Sequence, residues 1–293
     1  MAKTFLEKRL RRAHRRNQAI YQNLAAFTFD VIGRSVSVDG LYEREQLEFL
    51  RMSLFSRLSK RRVCLDIGAN IGNHAVFFSD FFEQVIAFEP NPRTFQLLRL
   101  NAELANNIKA LNIGASDKTQ RLQAHIDATN AGAARVMLEG GPNNTSSASP
   151  VFELVDIDSY LSGIERMTVD FIKIDVEGHE SAAFRGMKTL LSQGNAVVCL
   201  ELLAKSSPEQ AGDAIARLKS AGYDCFIALE ETLKLKWLPL WLANFLRSAA
   251  KSMDLRASQK LQQSPLPATP NQDYAMILAF KTASHKIEID RLA

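Results

Sequence analysis

Residues 63–79 read VCLDIGANIGNHAVFFS and are the most informative segment of this 293-residue chain. The first five residues form an apolar run that is interrupted only by Asp66, which is typical of a strand buried on both faces. Gly68 and Gly72 flank a turn, and an apolar stretch that favours a helix follows it. Because glycine adopts positive φ angles and carries no side chain, the segment predicts a strand, a turn whose bare backbone is open to a ligand, and a helix.

Short apolar runs alternate with helix-period stretches on both sides of this segment. Strands are predicted at residues 63–67, 85–89, 110–115, 169–175, 196–202, 224–229 and 274–280. Helices are predicted at residues 92–106 and 180–192, and from Pro208 to a stop at Gly222. This alternation predicts a parallel sheet covered by helices on both faces, which is an open α/β sandwich.

Two stretches interrupt the alternation. Residues 127–150 are rich in small and turn-forming residues and are predicted to form a loop. Residues 230–273 are too long for a turn and contain both tryptophans. Residues 234–251 within them combine an apolar face with flanking Lys and Arg, which is typical of a segment in a membrane interface. The alternative for this insertion is a lid or a dimer contact.

The composition is that of a folded globular chain, with 46% apolar and 23% charged residues. It excludes collagen-like, low-complexity and disulfide-scaffold proteins. Cys64, Cys199 and Cys225 lie in apolar runs and show no C-x-x-C spacing. We therefore expect buried thiols in a reducing, cytoplasmic setting, and no metal site.

Positive charge is concentrated at the N-terminus. Residues 1–16 contain seven Lys or Arg and one Glu, whereas the rest of the chain contains 29 basic and 31 acidic residues. A body with so little net charge is not expected to bind nucleic acid. The helical extension at residues 1–35 is either solvated or attracted to an anionic partner or the inner face of a membrane. A single domain is predicted at residues 36–283, followed by a tail at 284–293.

Glu89 ends the second predicted strand, 23 residues after Asp66. A carboxylate at this position can accept hydrogen bonds from both hydroxyls of a ribose. The turn has G-x-x-x-G spacing rather than the G-x-G-x-x-G of pyrophosphate-binding turns. Together these features predict a nucleoside-type ligand in the crevice outside the carboxyl ends of the strands.

Three segments, in this order, resemble motifs of the FkbM-type family of S-adenosylmethionine-dependent methyltransferases. They are VCLDIGANIGNHAVFFS, VIAFEPNPRTFQLLRLNAEL and VDFIKIDVEGHESAAFRGM, which begin at Val63, Val85 and Val169. Residues 40–43 (GLYE) and 156–161 (DIDSYL) also resemble family segments. The resemblance implies a Rossmann-like methyltransferase fold, with a seven-stranded, mostly parallel sheet and one antiparallel edge strand.

The resemblance also implies which residues would contact S-adenosylmethionine. The methionine half would be surrounded by Asp66, Gly68, Asn70 and Gly72. The ribose would be held by Glu89, with Asn91 nearby. The adenine would lie near Ser116 and Asp117. For Asp117, a solvated acid in a turn is the alternative.

The segment FIKIDVEGHES supplies the candidate catalytic residues Asp175, Glu177 and His179. Methyl transfer needs the acceptor oxygen held in line with the methyl carbon, and a hydroxyl acceptor also loses a proton to a carboxylate or imidazole. Three alternatives stay open: the acids only favour the start of the next helix, the three residues share a divalent ion such as Mg²⁺, or His179 is a general base.

Charged residues elsewhere receive simpler interpretations. Lys173, inside a strand, is expected to extend to water or pair with an acid. Glu201 is expected to face the same edge of the sheet as Asp175, and His74 is expected to serve packing.

The function that these features favour is S-adenosylmethionine-dependent O-methylation of a hydroxyl on a sugar, a glycolipid or a secondary metabolite. The acceptor would be a small molecule or a glycan or lipid-linked group, and the protein could form oligomers. One alternative is a nicotinamide-dependent oxidoreductase, which the glycine spacing disfavours. The other is a non-catalytic, membrane-associated module that binds a cofactor.

Overall fold

The structure is a computed structural model. It describes residues 11–12, 15–17, 20–28, 30–127, 130–136, 150–162, 168–202, 208–232, 260–266, 270 and 272–285. Of the predicted regions, the first ten residues of the basic extension, residues 233–259 of the insertion and residues 286–293 of the tail lie outside this part. The limits of the single domain therefore stay a prediction.

The strands and helices follow the predicted alternation. The strands are β1 (Val63–Ile67), β2 (Gln84–Phe88), β3 (Ile108–Leu111), β4 (Gly114–Ser116), β5 (Gln120–Asp127), β6 (Asn130–Val136), β7 (Val151–Asp156), β8 (Val169–Ile174), β9 (Val197–Leu202), β10 (Cys225–Thr232), β11 (Lys260–Pro265) and β12 (Tyr274–Phe280). The helices are α1 (Val31–Asp39), α2 (Arg44–Phe49), which a π-helical turn (Leu50–Phe55) extends, α3 (Asn73–Ser79), α4 (Pro92–Ala102), α5 (Ile157–Ser162), α6 (Glu180–Arg185), α7 (Lys188–Gln193) and α8 (Pro208–Ser220).

The main sheet has the order β11-β10-β12-β9-β8-β1-β2-β3. The five strands from β9 to β3 run parallel, whereas β12 is antiparallel to both of its neighbours and β11 is antiparallel to β10. The predicted Rossmann-like, mostly parallel sheet with an antiparallel edge strand is confirmed. Eight strands replace the expected seven because residues 260–265, inside the predicted insertion, add β11 at the edge.

Both faces of the sheet are buried, as the continuous apolar strands predict. One face packs against α6, α7 and α8, with Phe184, Met187 and Leu218 at most 2% exposed. The other packs against α2 and α3, where Phe55 meets Phe171 edge to face at 5.1 Å between ring centroids. Fully burying one such side chain stabilises a fold by about 1.5–3 kcal/mol. These contacts hold the carboxyl ends of the strands in place.

A second, smaller sheet lies beyond β3, with the order β4-β7-β5-β6. Here two predictions are wrong. The single strand expected at residues 110–115 divides into β3 and β4, because the Asn112 amide donates to the carbonyls of Glu89 (2.9 Å) and Pro90 (3.2 Å) and turns the chain. Part of the loop expected at 127–150 is the strand β6, which pairs with β5.

The helix predicted at residues 180–192 is also divided, into α6 and α7. The break lies at Gly186, where a Cβ would fall 1.9 Å from the carbonyl oxygen of Ser116. The close approach of β4 to this backbone therefore ends α6 and brings Ser116 against it. No helix in the described part of the chain is long and apolar enough to cross a membrane.

Candidate active site

The turn after β1 has the left-handed backbone that its glycines predict. The φ angles of Gly68, Asn70 and Gly72 are 82°, 52° and 89°. A Cβ at Gly68 would fall 1.7 Å from the carbonyl oxygen of Asp175, and one at Gly72 would fall 2.8 Å from Cδ1 of Leu98. The prediction that the missing side chains leave room for a ligand is therefore wrong at these two glycines. The space that each Cβ would need is occupied by Asp175 and Leu98 of the protein itself.

Glu89 joins the turns that follow β1 and β2. Its Oε2 accepts a hydrogen bond from the amide of Asn70 at 2.9 Å, and its Oε1 accepts one from the amide of Asn91 at 2.8 Å. Burial raises the pKa of Glu89 to about 7; the two amides oppose this shift, and the charge of Asp175 adds to it. Glu89 is thus a buried acceptor at the position predicted for the ribose, and it also holds both turns together.

Asp66 and Asp175 come together at the carboxyl edge of the sheet, around Lys173. Asp66 is the register partner of Lys173 on the neighbouring strand. The Lys173 ammonium donates to Oδ2 of Asp175 at 2.9 Å, and the whole residue is only 5% exposed. The predicted pairing of Lys173 with an acid is confirmed.

Glu201 and Glu43 complete this group. Glu201 follows Leu200, the register partner of Ile174, so it lies beside Asp175 and its carboxyl group donates a hydrogen bond to that residue. Glu43 comes from the segment before α2 and pairs with Nε2 of His74 at 3.1 Å. We call the four acids Glu43, Asp66, Asp175 and Glu201 the carboxylate cluster.

The segment that carries Glu43 is fixed to the start of α3. The Tyr42 amide donates to Oδ1 of Asn73 at 3.0 Å, and the Asn73 amide donates to the Tyr42 carbonyl at 3.1 Å. Burial raises the pKa of the Tyr42 phenol, and the charges of Glu43 and Glu201 add to the rise. His74, which was expected only to pack, holds Glu43 as well.

Electrostatics in the carboxylate cluster are dominated by burial. Burial raises the pKa of Glu201 to about 10, and the charge of Asp175 reinforces the shift. Burial acts in the same direction on Asp175, but Lys173 outweighs it and lowers the pKa of that carboxyl. Near neutral pH, Asp175 is therefore ionised, and Glu201 carries the proton that it donates to Asp175.

Asp66 has an unusual environment. It is 0% exposed, and neither carboxylate oxygen has a hydrogen-bond partner of normal geometry among the described residues. Burial raises its pKa, while Lys173, His74 and, more weakly, the nearby backbone amide of Ala75 at the start of α3 lower it. A buried acceptor without a partner costs about 1–3 kcal/mol. Asp66 therefore fits a ligand that brings a hydrogen-bond donor or a positive charge, as predicted for the methionine half of the cofactor.

His179 belongs to a different site. Its Nε2 lies 3.0 Å from Oγ of Ser116, and the Asp117 carboxylate accepts from Nε of Arg185 at 3.1 Å. Burial lowers the pKa of His179, which favours the neutral imidazole. These residues line a cavity of about 510 Å³, the His179 cavity, together with Lys118, Gln120, Leu122, Gly178, Ser181, Ala182, Glu209, Gln210 and Asp213.

The structure thus separates the three candidate catalytic residues. Asp175 lies in the carboxylate cluster, and His179 lies in the His179 cavity with Ser116 and Asp117. Glu177 lies in the turn between them, where it has a φ of 52° and is followed by Gly178 with a φ of 95°. Two successive left-handed residues reverse the chain, so the side chains on either side of them point to different sites. Among the described residues, no three His, Cys, Asp or Glu side chains are arranged to hold a metal ion.

Sequence reasoning did not assign Tyr42, Glu43 or His74 to the site. A signal was present for Glu43, because the GLYE segment resembles the family, but nothing local showed that it reaches the carboxyl edge of the sheet. The contact depends on the Asn73 side chain, which binds a backbone segment 31 residues away in sequence.

Comparisons with known proteins find methyltransferases. Residues 66–225 match the family model described as Methyltransferase FkbM domain. The hexuronic acid methyltransferase AglP of Haloferax volcanii is 29% identical to this chain over 178 residues, which are 60% of this chain and 70% of AglP.

Two solved structures show similarity at low sequence identity. The FkbM methyltransferase of Methylobacillus flagellatus KT is 16% identical with a TM-score of 0.46, and the match covers 90% of this chain and 58% of that one. This chain therefore spans less than two thirds of that protein. A methyltransferase of Streptococcus mutans, described as putative and in complex with SAH, is 10% identical with a TM-score of 0.42, and the match covers 81% of this chain and 97% of that one.

Proposed function

This chain belongs to the FkbM methyltransferase family, whose model matches more than half of it, and on that premise we propose that it methylates a hydroxyl oxygen of a sugar-containing acceptor from S-adenosylmethionine. The observation that supports the cofactor most directly is Asp66, a fully buried carboxylate without a hydrogen bond of normal geometry among the described residues. When bound, the cofactor supplies a methyl group on a sulfonium: the S–C bond breaks, its electron pair stays on sulfur, and the new O–C bond forms.

The turns after β1 and β2 would bind the cofactor. Glu89 accepts one amide on each carboxylate oxygen, and each oxygen has a second lone pair for a ribose hydroxyl. The same two hydrogen bonds fix the turn that contains Asn70, so the ribose acceptor and the predicted methionine contacts keep a constant distance. A site held in this way loses little freedom when the ligand binds.

Asp175 is the residue that we propose to hold the acceptor hydroxyl and take its proton. Its side chain is 25% exposed, whereas that of Lys173 is 7% exposed, so the carboxylate is accessible from the crevice and the ammonium stays behind it. Lys173 and Glu201 both bind Asp175 and fix its orientation. From Asp175 the proton would pass to water as the methylated product leaves.

The relative AglP supports a sugar as the acceptor, since it is described as a hexuronic acid methyltransferase. A hydroxyl acceptor agrees with Asp175, because a carboxylate near the reacting oxygen is useful when a proton must be removed. A sugar acceptor is therefore the first class to test, as hexuronic acids and as their neutral counterparts.

Isothermal titration calorimetry tests the cofactor. We expect S-adenosylmethionine to bind and NAD to show no heat of binding. Asp66→Asn should weaken S-adenosylmethionine at least tenfold, because a charge-assisted hydrogen bond contributes about 1.5–3 kcal/mol. Glu103→Gln, which changes an exposed acid, is the matched control and should bind like wild type. Binding of NAD without binding of S-adenosylmethionine would overturn the proposal.

Transfer of radiolabelled methyl groups tests the acceptor. Uronic acid glycans and neutral glycans are offered in parallel with Asp175→Asn as the negative control. Base-resistant labelling of a glycan by wild type indicates a methyl ether on a hydroxyl. Labelling that mild base removes indicates a methyl ester, and this result would replace the hydroxyl acceptor by a carboxylate.

A further inference from the structure

The carboxylate cluster contains more negative than positive groups. Four acids, Glu43, Asp66, Asp175 and Glu201, surround one lysine, Lys173, and one histidine, His74. With Glu201 protonated, three carboxyl groups, those of Glu43, Asp66 and Asp175, remain beside the Lys173 ammonium and the His74 imidazole. Within a buried site, such an imbalance acts strongly, because little water is present to screen it.

Within the described part of the protein, the acids of the carboxylate cluster do not all have a basic partner. The Lys173 ammonium donates to Asp175 at 2.9 Å. Glu43 lies 3.1 Å from Nε2 of His74, although this contact lacks the geometry of a hydrogen bond. Asp66, beside Lys173 in the strand register, is left with no hydrogen bond of normal geometry on either oxygen among the described residues. The group that lacks a partner is thus completely buried and lies where the cofactor is proposed to bind.

We propose, building on the proposed function, that the carboxylate cluster makes this site prefer the cationic sulfonium of S-adenosylmethionine over the neutral thioether of S-adenosylhomocysteine. The two ligands differ in one methyl group and one positive charge. The methionine ammonium is common to both ligands and cancels in the comparison. The sulfonium adds one more positive charge beside the acids of the cluster, whereas a neutral sulfur adds none. Methyl transfer removes this charge, so the cluster holds the product less tightly than the cofactor.

A proton linkage follows from the same arrangement. The charged groups that face Glu201 are Asp175, Glu43 and Lys173, with the Tyr42 phenol close by. Burial and these acids keep Glu201 protonated in the free protein, with a pKa of about 10. A cation in the cluster favours the ionised form of Glu201, so its binding should release part of a proton, whereas a neutral ligand should release none.

Calorimetry on the full chain measures both effects. S-Adenosylmethionine, S-adenosylhomocysteine and sinefungin, which carries an amine in place of the methylated sulfur, are titrated at pH 8.5 in two buffers that differ in ionisation enthalpy. We expect both cationic ligands to bind about tenfold more tightly than S-adenosylhomocysteine and to release more protons. These measurements use wild-type protein only and do not depend on whether any variant folds.

Variants then identify the source of the preference. Glu43→Gln removes one charge from the cluster and should reduce the affinity ratio several-fold, mainly by weakening the cationic ligands. Glu201→Gln should abolish the difference in proton release. Glu103→Gln, an exposed acid outside the cluster, should leave both quantities unchanged.

The possible results separate this inference from the proposed function. If S-adenosylhomocysteine binds as tightly as S-adenosylmethionine in wild type, or if the ratio is the same in Glu43→Gln, the charge preference is overturned while cofactor binding stands. If no adenosyl ligand binds, the proposed function is overturned, and the charge preference with it.

Discussion

The carboxylate cluster and the His179 cavity begin from the same strand end, yet they are different environments. Asp175 and His179 are four residues apart in a segment that forms one sequence motif, and both were candidate catalytic residues. Asp175 is ionised beside a buried lysine and a protonated acid, whereas His179 is a neutral imidazole against the Ser116 hydroxyl. A short motif after a strand can therefore place residues in two different sites when residues with left-handed backbone, here Glu177 and Gly178, lie in its middle.

The two sites also differ around a glycine in the neighbouring turn, which is Gly68 beside the carboxylate cluster and Gly178 beside the His179 cavity. Gly68 touches the Asp175 backbone, where a Cβ would be 1.7 Å from the carbonyl oxygen, while the nearest atom to a Cβ at Gly178 would be 3.5 Å away. Both have positive φ. The turn beside the carboxylate cluster is therefore crowded, and the turn beside the His179 cavity is open.

The largest expected effect comes from removing the cation of the carboxylate cluster. Lys173→Met should lower the free energy of unfolding by about 3 kcal/mol, because it leaves buried acids without their partner. Urea denaturation followed by circular dichroism measures it. The double variant Lys173→Met with Asp175→Asn should regain part of the loss. A loss below about 1 kcal/mol in the single variant would mean that the cluster is much better solvated than its burial indicates.

The next effect is kinetic and separates the two sites. Asp175→Asn should reduce kcat about 100-fold, as loss of a proton acceptor commonly does, and should weaken S-adenosylmethionine only several-fold, since it removes one charge from the carboxylate cluster as Glu43→Gln does. His179→Asn should reduce kcat less than tenfold. Steady-state methyl transfer, with cofactor affinity from calorimetry, provides the comparison. A larger kcat loss for His179→Asn would move the chemistry into the His179 cavity.

The smallest effect is a pH dependence of stability. Burial lowers the pKa of His179 in the folded protein, so the unfolded chain binds more protons near its ordinary pKa, and stability should fall as the pH decreases from 7 to 5. His179→Asn should lose less stability over this interval, by up to about 1 kcal/mol. Thermal unfolding of both proteins across the interval measures the difference, and identical profiles would show that His179 titrates as it does in water.

Much of the carboxylate cluster was predictable, because it depends on where strands end. Asp66, Glu89 and Asp175 each lie at or next to the end of an apolar run, and parallel strands bring such residues to one edge of the sheet. The FkbM resemblance added the ligand and the order of the motifs. The contribution of Glu43 could not be predicted, since it depends on how a segment outside the sheet packs against α3.

The His179 cavity was less predictable for the same kind of reason. Ser116 reaches His179 only because the chain turns at Asn112 and forms β4 rather than continuing β3. No periodicity in residues 110–115 indicates that turn. The break at Gly186, which lets β4 approach, likewise depends on a neighbour more than 60 residues away in sequence.

Local patterns alone determined the alternation of strands and helices, the left-handed turn after β1 and the acids at the strand ends, because each follows from the conformational preferences and burial of consecutive residues. Tertiary structure alone decided which side chains share a site. It paired Lys173 with Asp175, left Asp66 without a partner among the described residues and turned His179 away, because such contacts depend on how distant segments pack and how burial alters the charge of each group.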